Sequence, residues 1–203
     1  MAINDKRSII ERMKNGETFT VELGCGTEKK DPAAIGVDML DYECVDVVGD
    51  VIEVLASFPA NSVTKISSSH FMEHVKDVPT LMSEISRVLM TGGTAKAVVP
   101  HFSNPFYYSD PTHSSPFGLY TMAYFCEQNI FARGVPSYAI GVPLVLDSIK
   151  LGFKSIRPRY ISHVFKRVFG IFVNCSTYTK EFYEEHLCWL IPCYEIHLEM
   201  HKK

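Results

Sequence analysis

The chain has 203 residues, of which 46% are hydrophobic, and a net charge of -3 at pH 7. This length and composition fit one globular domain, residues 1–203, with a sizeable core. The acidic balance gives no support to a nucleic-acid partner. No apolar run reaches the ~18 residues of a membrane span, and the charged N-terminus lacks the apolar core of a signal peptide. The six cysteines form no Cys-x-x-Cys pair, which favours free thiols and a cytoplasmic protein.

The first predicted elements surround a glycine turn. Residues 5–15 have the apolar spacing of a short helix, and 18–23 predict a strand that runs into Gly24-Cys25-Gly26. The second strand is predicted at 35–38. A parallel crossover usually takes about a dozen residues or more, so this short link predicts a loop with a turn or two of helix.

Strands and helices then alternate along the chain. We predict strands at 45–48, 63–69 and 94–99, and helices at 51–58 and 79–90, the second ended by Gly92-Gly93. This alternation predicts an α/β fold: a three-layer, Rossmann-like sandwich with a mostly parallel, roughly seven-stranded sheet.

The pattern changes after Pro100. Residues 101–123 are rich in proline, aromatic residues and histidine, without periodicity, which predicts a structured substrate loop within the domain. Further on we predict helices at 120–128 and 179–190, a strand at 153–156, and an antiparallel last strand at 194–200. The basic, aromatic stretch 154–172 could contact a phosphate or a membrane surface, or be a solvated face with a core stripe.

Three consecutive strand ends carry groups suited to an adenosine ligand. Beyond the glycine turn, Asp38 could accept hydrogen bonds from both ribose hydroxyls, and Asp50 could reach the adenine amino group. The third glycine of a dinucleotide site is missing. Glu22, just before the turn, would repel a pyrophosphate but suits the ammonium and sulfonium of S-adenosylmethionine.

The sequence resembles class I S-adenosylmethionine-dependent methyltransferases over residues 18–100. The segments ELGCG, IGVD, VVGDV, SSSHFMEHV, LMSEISRVLMTGG and AVVP follow that family's motif order, and the compact LGCG-to-VD link resembles a subgroup of glycan and small-molecule biosynthesis. The resemblance implies that Glu22, Gly24, Cys25 and Gly26 hold the amino-acid part of the cofactor, Asp38 and Met39 the ribose, Asp50 and Val51 the adenine, and that Ser69 and His70 lie near the methionine portion. The short link removes most of the helix that usually faces the cofactor.

The segment His70 to His74 also reads H-x-x-E-H, an inverted zinc-protease signature. Its place after a strand end in the methyltransferase order, and the lack of an obvious third ligand, argue against zinc. We therefore expect no metal, and we expect Glu73 and His74 to tie the strand to its helix.

The acceptor chemistry is expected in the loop after Pro100. We hypothesise that His113 or His101 deprotonates the acceptor and that Asp110 orients His113, since histidine has an ordinary pKa of ~6.5. Alternatively, these side chains only satisfy backbone groups. The aromatic residues of the loop could stack on a sugar or flat ring, or exclude water as a lid.

We therefore predict methyl transfer from S-adenosylmethionine to oxygen or nitrogen of a small molecule: a sugar, a glycan precursor or a related metabolite. A homodimer is left open. Three alternatives remain: a catalytically silent binding subunit, a nicotinamide-dependent dehydrogenase, and a nucleic-acid methyltransferase. The last is disfavoured because no N/D-P-P-Y-type run follows the 63–69 strand.

Overall fold

The computed structural model describes residues 2–127, 130–136, 138 and 143–203. Within these residues the strands are β1 (Asn4–Asp5), β2 (Phe19–Leu23), β3 (Ile35–Asp38), β4 (Val47–Val48), β5 (Val63–Ser69), β6 (Leu89–Pro100), β7 (Leu144–Gly152) and β8 (Glu195–Lys202). The α-helices are α1 (Ile9–Lys14), α2 (Val51–Ser57), α3 (Val78–Val88), α4 (Tyr160–Val173) and α5 (Thr177–His186). Short 3-10 turns cover Met72–His74, Tyr107–Ser109 and Thr121–Phe125.

The strands form one sheet in the order β1-β4-β3-β2-β5-β6-β8-β7. The five strands from β4 to β6 in this order pair in parallel, whereas β1, β8 and their partners pair antiparallel. Successive strands step outward from β2 to β4, and the chain then returns to the other side of β2 with β5. The order therefore reverses between β2 and β5. This is the predicted Rossmann-like α/β fold with an antiparallel last strand.

The first half of the chain folds close to the sequence prediction. β3 and β5 have the predicted bounds, and α2 ends one residue before the predicted end. The link between β2 and β3 contains turns and bends only, so the expected turn of helix is absent. Both α2 and α3 begin at an aspartate whose carboxylate accepts hydrogen bonds from the first free amides, which fixes where each helix starts.

The predicted end of α3 at Gly92-Gly93 is wrong. The helix ends at Val88, and β6 begins at once with Leu89 in extended conformation. The two glycines lie within this strand: Gly92 has φ +77°, and a Cβ on Gly93 would lie 2.8 Å from the Met90 carbonyl oxygen. They form an irregularity in the strand rather than its start.

The second half departs further from the prediction. The predicted strand at 153–156 is wrong, because the strand is β7 and ends at Gly152. The helix α4 was not predicted. The predicted helix 179–190 is α5, which begins earlier because Ser176 and Thr179 form a capping box. The predicted helix 120–128 is a 3-10 turn as far as it is described, and Gln128 lies outside the described residues.

The core lies along the sheet. One main hydrophobic cluster joins buried residues of β2, β3, β5, β6, β7 and β8 with the inner faces of α1, α2 and α3. This packing holds the carboxyl ends of β2, β3 and β5 at one edge of the sheet. No helix of the described residues is long and apolar enough to cross a membrane.

Candidate functional site

A cleft of about 820 Å³ opens at the carboxyl ends of β2, β3 and β5. It lies beside the point where the strand order reverses, which is where open α/β sheets bind their ligands. Seven of the predicted cofactor residues line it: Gly24, Gly26, Asp38, Met39, Asp50, Val51 and His70. Its volume is that of a site for a whole small molecule.

The turn after β2 requires glycine for two different reasons. Gly24 has φ +64°, and an added Cβ would lie 2.4 Å from a ring carbon of Phe71. Gly26 has φ +59°, but a Cβ there would meet nothing within 4 Å. Gly24 is therefore required both by its positive φ and by the close approach of Phe71, whereas Gly26 is required by its positive φ alone.

Asp38 ties the end of β3 to the glycine turn. One carboxylate oxygen accepts from the backbone N–H of Gly26 at 2.9 Å, and the other accepts from that of Leu40 at 2.9 Å. Each oxygen keeps a lone pair, so the carboxylate can still accept from the hydroxyls of a ligand in the cleft.

Asp50 caps α2 as well as lining the cleft. Its Oδ1 accepts from the backbone amides of Ile52 at 2.9 Å and Glu53 at 3.2 Å. The start of α2, including Val51 and Ile52, therefore forms part of the cleft wall.

Three predicted cofactor residues do not line this cleft. Glu22 is 4% exposed and accepts from the backbone amides of Lys30 at 3.0 Å and Asp31 at 3.2 Å, so it holds the short link in place. Ser69 lines a separate cavity of about 260 Å³ with Glu22. Cys25 packs behind the turn against Val45 and Val48. The geometry gives Glu22 a structural task that the sequence did not suggest.

His70 lies on the far wall of the cleft in the left-handed region, with φ 51°. Its Nε2 is 3.4 Å from Glu195 Oε2, and its Nδ1 is 3.4 Å from Glu73 Oε1. Hydrogen bonding to Glu195, and then to Glu73, raises the pKa of His70 to about 9. The ring is therefore positively charged near neutral pH.

Glu195 is a site residue that the sequence analysis missed. It begins β8, which pairs with β6 so that Glu195 lies opposite Pro100, beside the cleft edge of the sheet. Burial of this carboxyl raises its pKa, but hydrogen bonds with His197, His70 and Lys154 outweigh burial and hold the pKa well below its usual range.

The loop after β6 meets the cleft through Thr112. The Thr112 hydroxyl lies 2.9 Å from Nδ1 of His74, and both residues line the cleft. The ring of His113 lies behind them, 4.9 Å from the His74 ring. The structure thus brings the predicted loop to the same cleft as the cofactor motifs.

His113 is held in one tautomer. Its Nδ1 is 2.8 Å from the Tyr107 carbonyl oxygen, which can only accept, so Nδ1 carries the proton and donates. Its Nε2 keeps a lone pair and lies 3.7 Å from Asp110 Oδ2. The carbonyl, rather than Asp110, orients the ring, and Asp110 is placed to stabilise a positive charge on it.

His101 does not share this position. It is 0% exposed, with Nδ1 2.8 Å from the Ser103 hydroxyl and Nε2 3.0 Å from Glu184 Oε2. Both ring nitrogens are thus engaged inside the protein. Neither His101 nor His113 lines the cleft, but His113 packs against His74, which does, whereas His101 packs away from it. The structure argues against His101 as the base and gives it a part in joining the loop to α5.

One group among the described residues could hold a metal ion, although the sequence predicts none. Glu73, His74 and His113 each offer one ligand atom, all within 4.8 Å of one another. Glu73 is buried, and its Oε2 has no hydrogen-bond partner among the described residues. Its Oε1 faces His70 instead, so Glu73 links the His70 pair to the histidines beside the loop.

Residues 21–96 match the family model described as a methyltransferase domain. This match spans β2 to β6 and includes every predicted cofactor residue. The chain is accordingly an enzyme, and its cofactor is S-adenosylmethionine.

Solved structures share the fold of this chain. A SAM-dependent methyltransferase from Archaeoglobus fulgidus is 18% identical with a TM-score of 0.56, over 98% of this chain and 94% of that one. One from Mesorhizobium loti is 13% identical with a TM-score of 0.52, over 98% of each chain. Phosphoethanolamine N-methyltransferase 2 from Haemonchus contortus, in complex with S-adenosyl-L-methionine, is 15% identical with a TM-score of 0.53, over 97% of this chain and 51% of that one. No curated protein sequence matches this chain.

Proposed function

We propose that this methyltransferase transfers the methyl group of S-adenosylmethionine to oxygen or nitrogen of a small polar acceptor: a sugar, a glycan precursor or a related metabolite. The observation that carries this proposal is the His113 ring, which lies 4.9 Å from the cleft residue His74 and whose Nδ1 donates to the Tyr107 carbonyl, so that Nε2 is the atom left to accept a proton. Methyl transfer to a hydroxyl or an ammonium group releases a proton, and this atom can receive it.

The cofactor is proposed to occupy the side of the cleft formed by the glycine turn. Asp38 accepts from the ribose hydroxyls, with Met39 beside the ribose, and Asp50 and Val51 border the adenine. Gly24 and Gly26 allow the cofactor close to the main chain, while His70 closes the end that faces the acceptor. Glu22 holds the short link after the turn, and Cys25 packs against Val45 and Val48. Ser69 lines the separate cavity beside Glu22.

The acceptor is proposed to enter between His70 and the loop. Alignment of the acceptor atom with the donor methyl supplies about 7–11 kcal/mol of the barrier reduction in well-oriented systems. Proton transfer to His113 adds a factor of about 10² to 10⁴. Asp110 then lies close enough to stabilise the imidazolium that forms.

Two aromatic side chains of the loop are exposed outside the cleft lining: Phe106, whose ring lies 6.4 Å from that of Tyr194, and Tyr108, whose ring lies 5.1 Å from that of Tyr107. Phe106 and Tyr108 are exposed, whereas Tyr107 and Phe117 are buried and hold the loop in place. Stacking on exposed aromatic rings is suited to the apolar face of a sugar or a flat ring. We therefore assign acceptor stacking to Phe106 and Tyr108.

The test is the formation of S-adenosylhomocysteine by the purified protein, followed by mass spectrometry. The acceptors are sugars, sugar nucleotides, small amines including phosphoethanolamine, and RNA. We expect turnover on a hydroxyl- or amine-bearing small molecule and a fall in kcat of about 10² to 10⁴ in His113→Gln. The matched control is His186→Gln, since His186 is an exposed histidine on α5.

Two results would overturn the proposal. Turnover on RNA alone would place the acceptor in another class. Tight binding of S-adenosylhomocysteine without turnover on any small molecule, cell extracts included, would make the protein a catalytically silent binding subunit. An unchanged kcat in His113→Gln would remove the base, and with it the observation on which the choice of an oxygen or nitrogen acceptor rests.

A further inference from the structure

The helix α4 has a second apolar face that the fold does not use. Its inner side packs through Gly170 and Val173, which are buried. Its outer side carries six exposed apolar residues: Ile161, Val164, Phe165, Val168, Ile171 and Phe172. Their spacing of three and four residues puts them on one stripe of the helix, which we name the apolar stripe.

The side chains of the apolar stripe are unusually exposed for apolar residues. Ile161 is 89% exposed and Ile171 69% exposed, and each of the six side chains is at least 48% exposed. Single exposed apolar residues are common on protein surfaces, but a contiguous set of this size marks a surface that meets another apolar phase.

The charge around the stripe identifies that phase. Residues 148–180 contain no aspartate or glutamate and seven basic residues: Lys150, Lys154, Arg157, Arg159, Lys166, Arg167 and Lys180. Since the whole chain has a net charge of -3 and this segment has +7, the remainder has -10. The segment that contains α4 is therefore basic, whereas the rest of the chain is acidic; of its basic side chains, Lys154 is paired with Glu195.

A groove beside the stripe combines both properties. It has a volume of about 510 Å³ and runs between α4 and the end of β7. Lys150, His163, Arg167 and His197 line it with positive or protonatable groups, and Val164, Val168 and Ile171 of the stripe form its outer lip. An arginine and a lysine in one groove suit a phosphate group, which Arg can bind through two hydrogen bonds.

We propose that α4 lies flat on an anionic phospholipid surface, with the apolar stripe in the interface and the basic groove on the phosphate headgroups. A helix with a large apolar face and a basic polar face is typical of interfacial binding. The 14 residues of α4 fit that arrangement.

A second copy of the chain suits this surface less well. A two-fold dimer through the stripe would place the same patch on both sides of the contact. Two segments of charge +7 would then face each other and repel. Anionic lipid gives the opposite sign of charge and an apolar layer at the same place.

The turn after α5, which contains Trp189 and Leu190, extends the proposed membrane-facing surface. Lys166 donates to the Pro192 carbonyl at 3.4 Å, which places the turn containing Trp189 and Leu190 beside α4. Trp189 and Leu190 are both exposed, and tryptophan is enriched at membrane–water interfaces. The Trp189 ring also lies 5.5 Å from that of Phe102, so this turn contacts the loop after β6.

The test is flotation of the full-length protein with two kinds of vesicle: phosphatidylcholine alone, and phosphatidylcholine with 30% phosphatidylglycerol as a roughly physiological anionic fraction. We expect binding to the anionic vesicles only, weakened by high salt. The double variant Ile161→Ser/Phe165→Ser should bind at least about tenfold more weakly because it loses buried apolar area. Arg167→Glu should lose about tenfold or more, since each basic residue near such a surface contributes about 1 kcal/mol.

The matched control for Arg167→Glu is Lys14→Glu, because Lys14 is exposed on α1, outside the basic segment. It should bind like the wild type, and all variants should keep the wild-type melting temperature because the changed side chains are exposed. Failure to bind anionic vesicles, equal binding to both vesicle types, or unchanged binding of the double variant would each overturn the proposal. A concentration-dependent dimer that the double variant abolishes, without vesicle binding, would also overturn it and assign the stripe to a second copy.

Discussion

The ring of Phe71 occupies the space that a side chain on Gly24 would need. An added Cβ on Gly24 would lie 2.4, 2.5 and 2.6 Å from three carbon atoms of Phe71. This contact joins the end of β2 to the residues that follow β5, across the point where the strand order reverses. The packing of one glycine therefore sets the relative position of two walls of the cofactor cleft.

This contact predicts different outcomes for the two glycines of the turn. Gly24→Ala has to displace Phe71 and adopt a positive φ, so we expect a loss of more than about 3 kcal/mol in the free energy of unfolding. Gly26→Ala meets only the backbone penalty, about 1–2 kcal/mol. Urea unfolding of both variants measures the difference, and equal losses would contradict the assigned role of Phe71.

Substitution of the two candidate histidines of the loop should affect different quantities: the free energy of unfolding for His101 and kcat for His113. His101→Ala removes a buried ring bonded to Ser103 and Glu184, so we expect a loss of roughly 2–4 kcal/mol in the free energy of unfolding. His113→Ala should change stability much less and lower kcat instead. Thermal melts combined with steady-state kinetics distinguish them. A stable His101→Ala enzyme with reduced kcat and unchanged KM would restore His101 as the base.

His70 predicts a dependence of stability on pH. Its pKa is about 9 in the folded protein because of Glu195 and Glu73, against an ordinary 6.5, so the folded state holds the proton more tightly. The stabilisation is therefore complete below about pH 6.5 and is lost as the pH rises through 9. Solvent reduces its size, because the His70 side chain is 43% exposed.

The measurement is the melting temperature of wild type and His70→Gln at pH 6, 7.5 and 9.5, chosen about the folded pKa. The variant should melt lower at the first two values, and the gap should narrow at the third. A gap that stays constant or widens with rising pH would contradict the assigned ion pairs.

The cysteines should differ in reactivity. Burial, and then the neighbouring Cys44, raises the pKa of Cys25 to about 12. At pH 8 only about one molecule in 10⁴ would then carry the Cys25 thiolate, which is the reactive form. Iodoacetamide labelling followed by peptide mass spectrometry should modify the exposed Cys175 first. Faster modification of Cys25 than of Cys175 would contradict the burial of the Cys25 thiol in the glycine turn.

The strands β2, β3 and β4 in the first half of the chain were predictable because a glycine or an aspartate follows each apolar run and marks where the strand ends. Gly24, Asp38 and Asp50 each stop an apolar run, and the structure brings all three to one cleft. The position of Glu22 was not predictable in this way. Its side chain points to the amides of Lys30 and Asp31, and nothing local shows that a short link will fold back onto it.

The second half was harder to predict because local patterns conflict with the packing. β7 contains a register shift between Leu146 and Ser148, which breaks the alternation of apolar and polar residues that marks a strand. The helix α4 has apolar residues on both its inner and outer sides, so it lacks the single stripe of an ordinary surface helix. Gly92 and Gly93 are typical of the end of a helix, but in the structure they lie within β6, where its register with β5 shifts.

The binding of S-adenosylhomocysteine, measured by calorimetry, tests the cofactor cleft most directly. The wild type should bind with one-to-one stoichiometry, and Asp38→Ala should show no measurable binding, since it removes the acceptor proposed for the ribose hydroxyls and releases the Gly26 amide. Asp41→Ala is the matched control, because Asp41 is an exposed aspartate three residues further along that does not line the cleft. It should bind like the wild type. Equal affinity in the wild type and Asp38→Ala would contradict the assignment of this cleft to the cofactor.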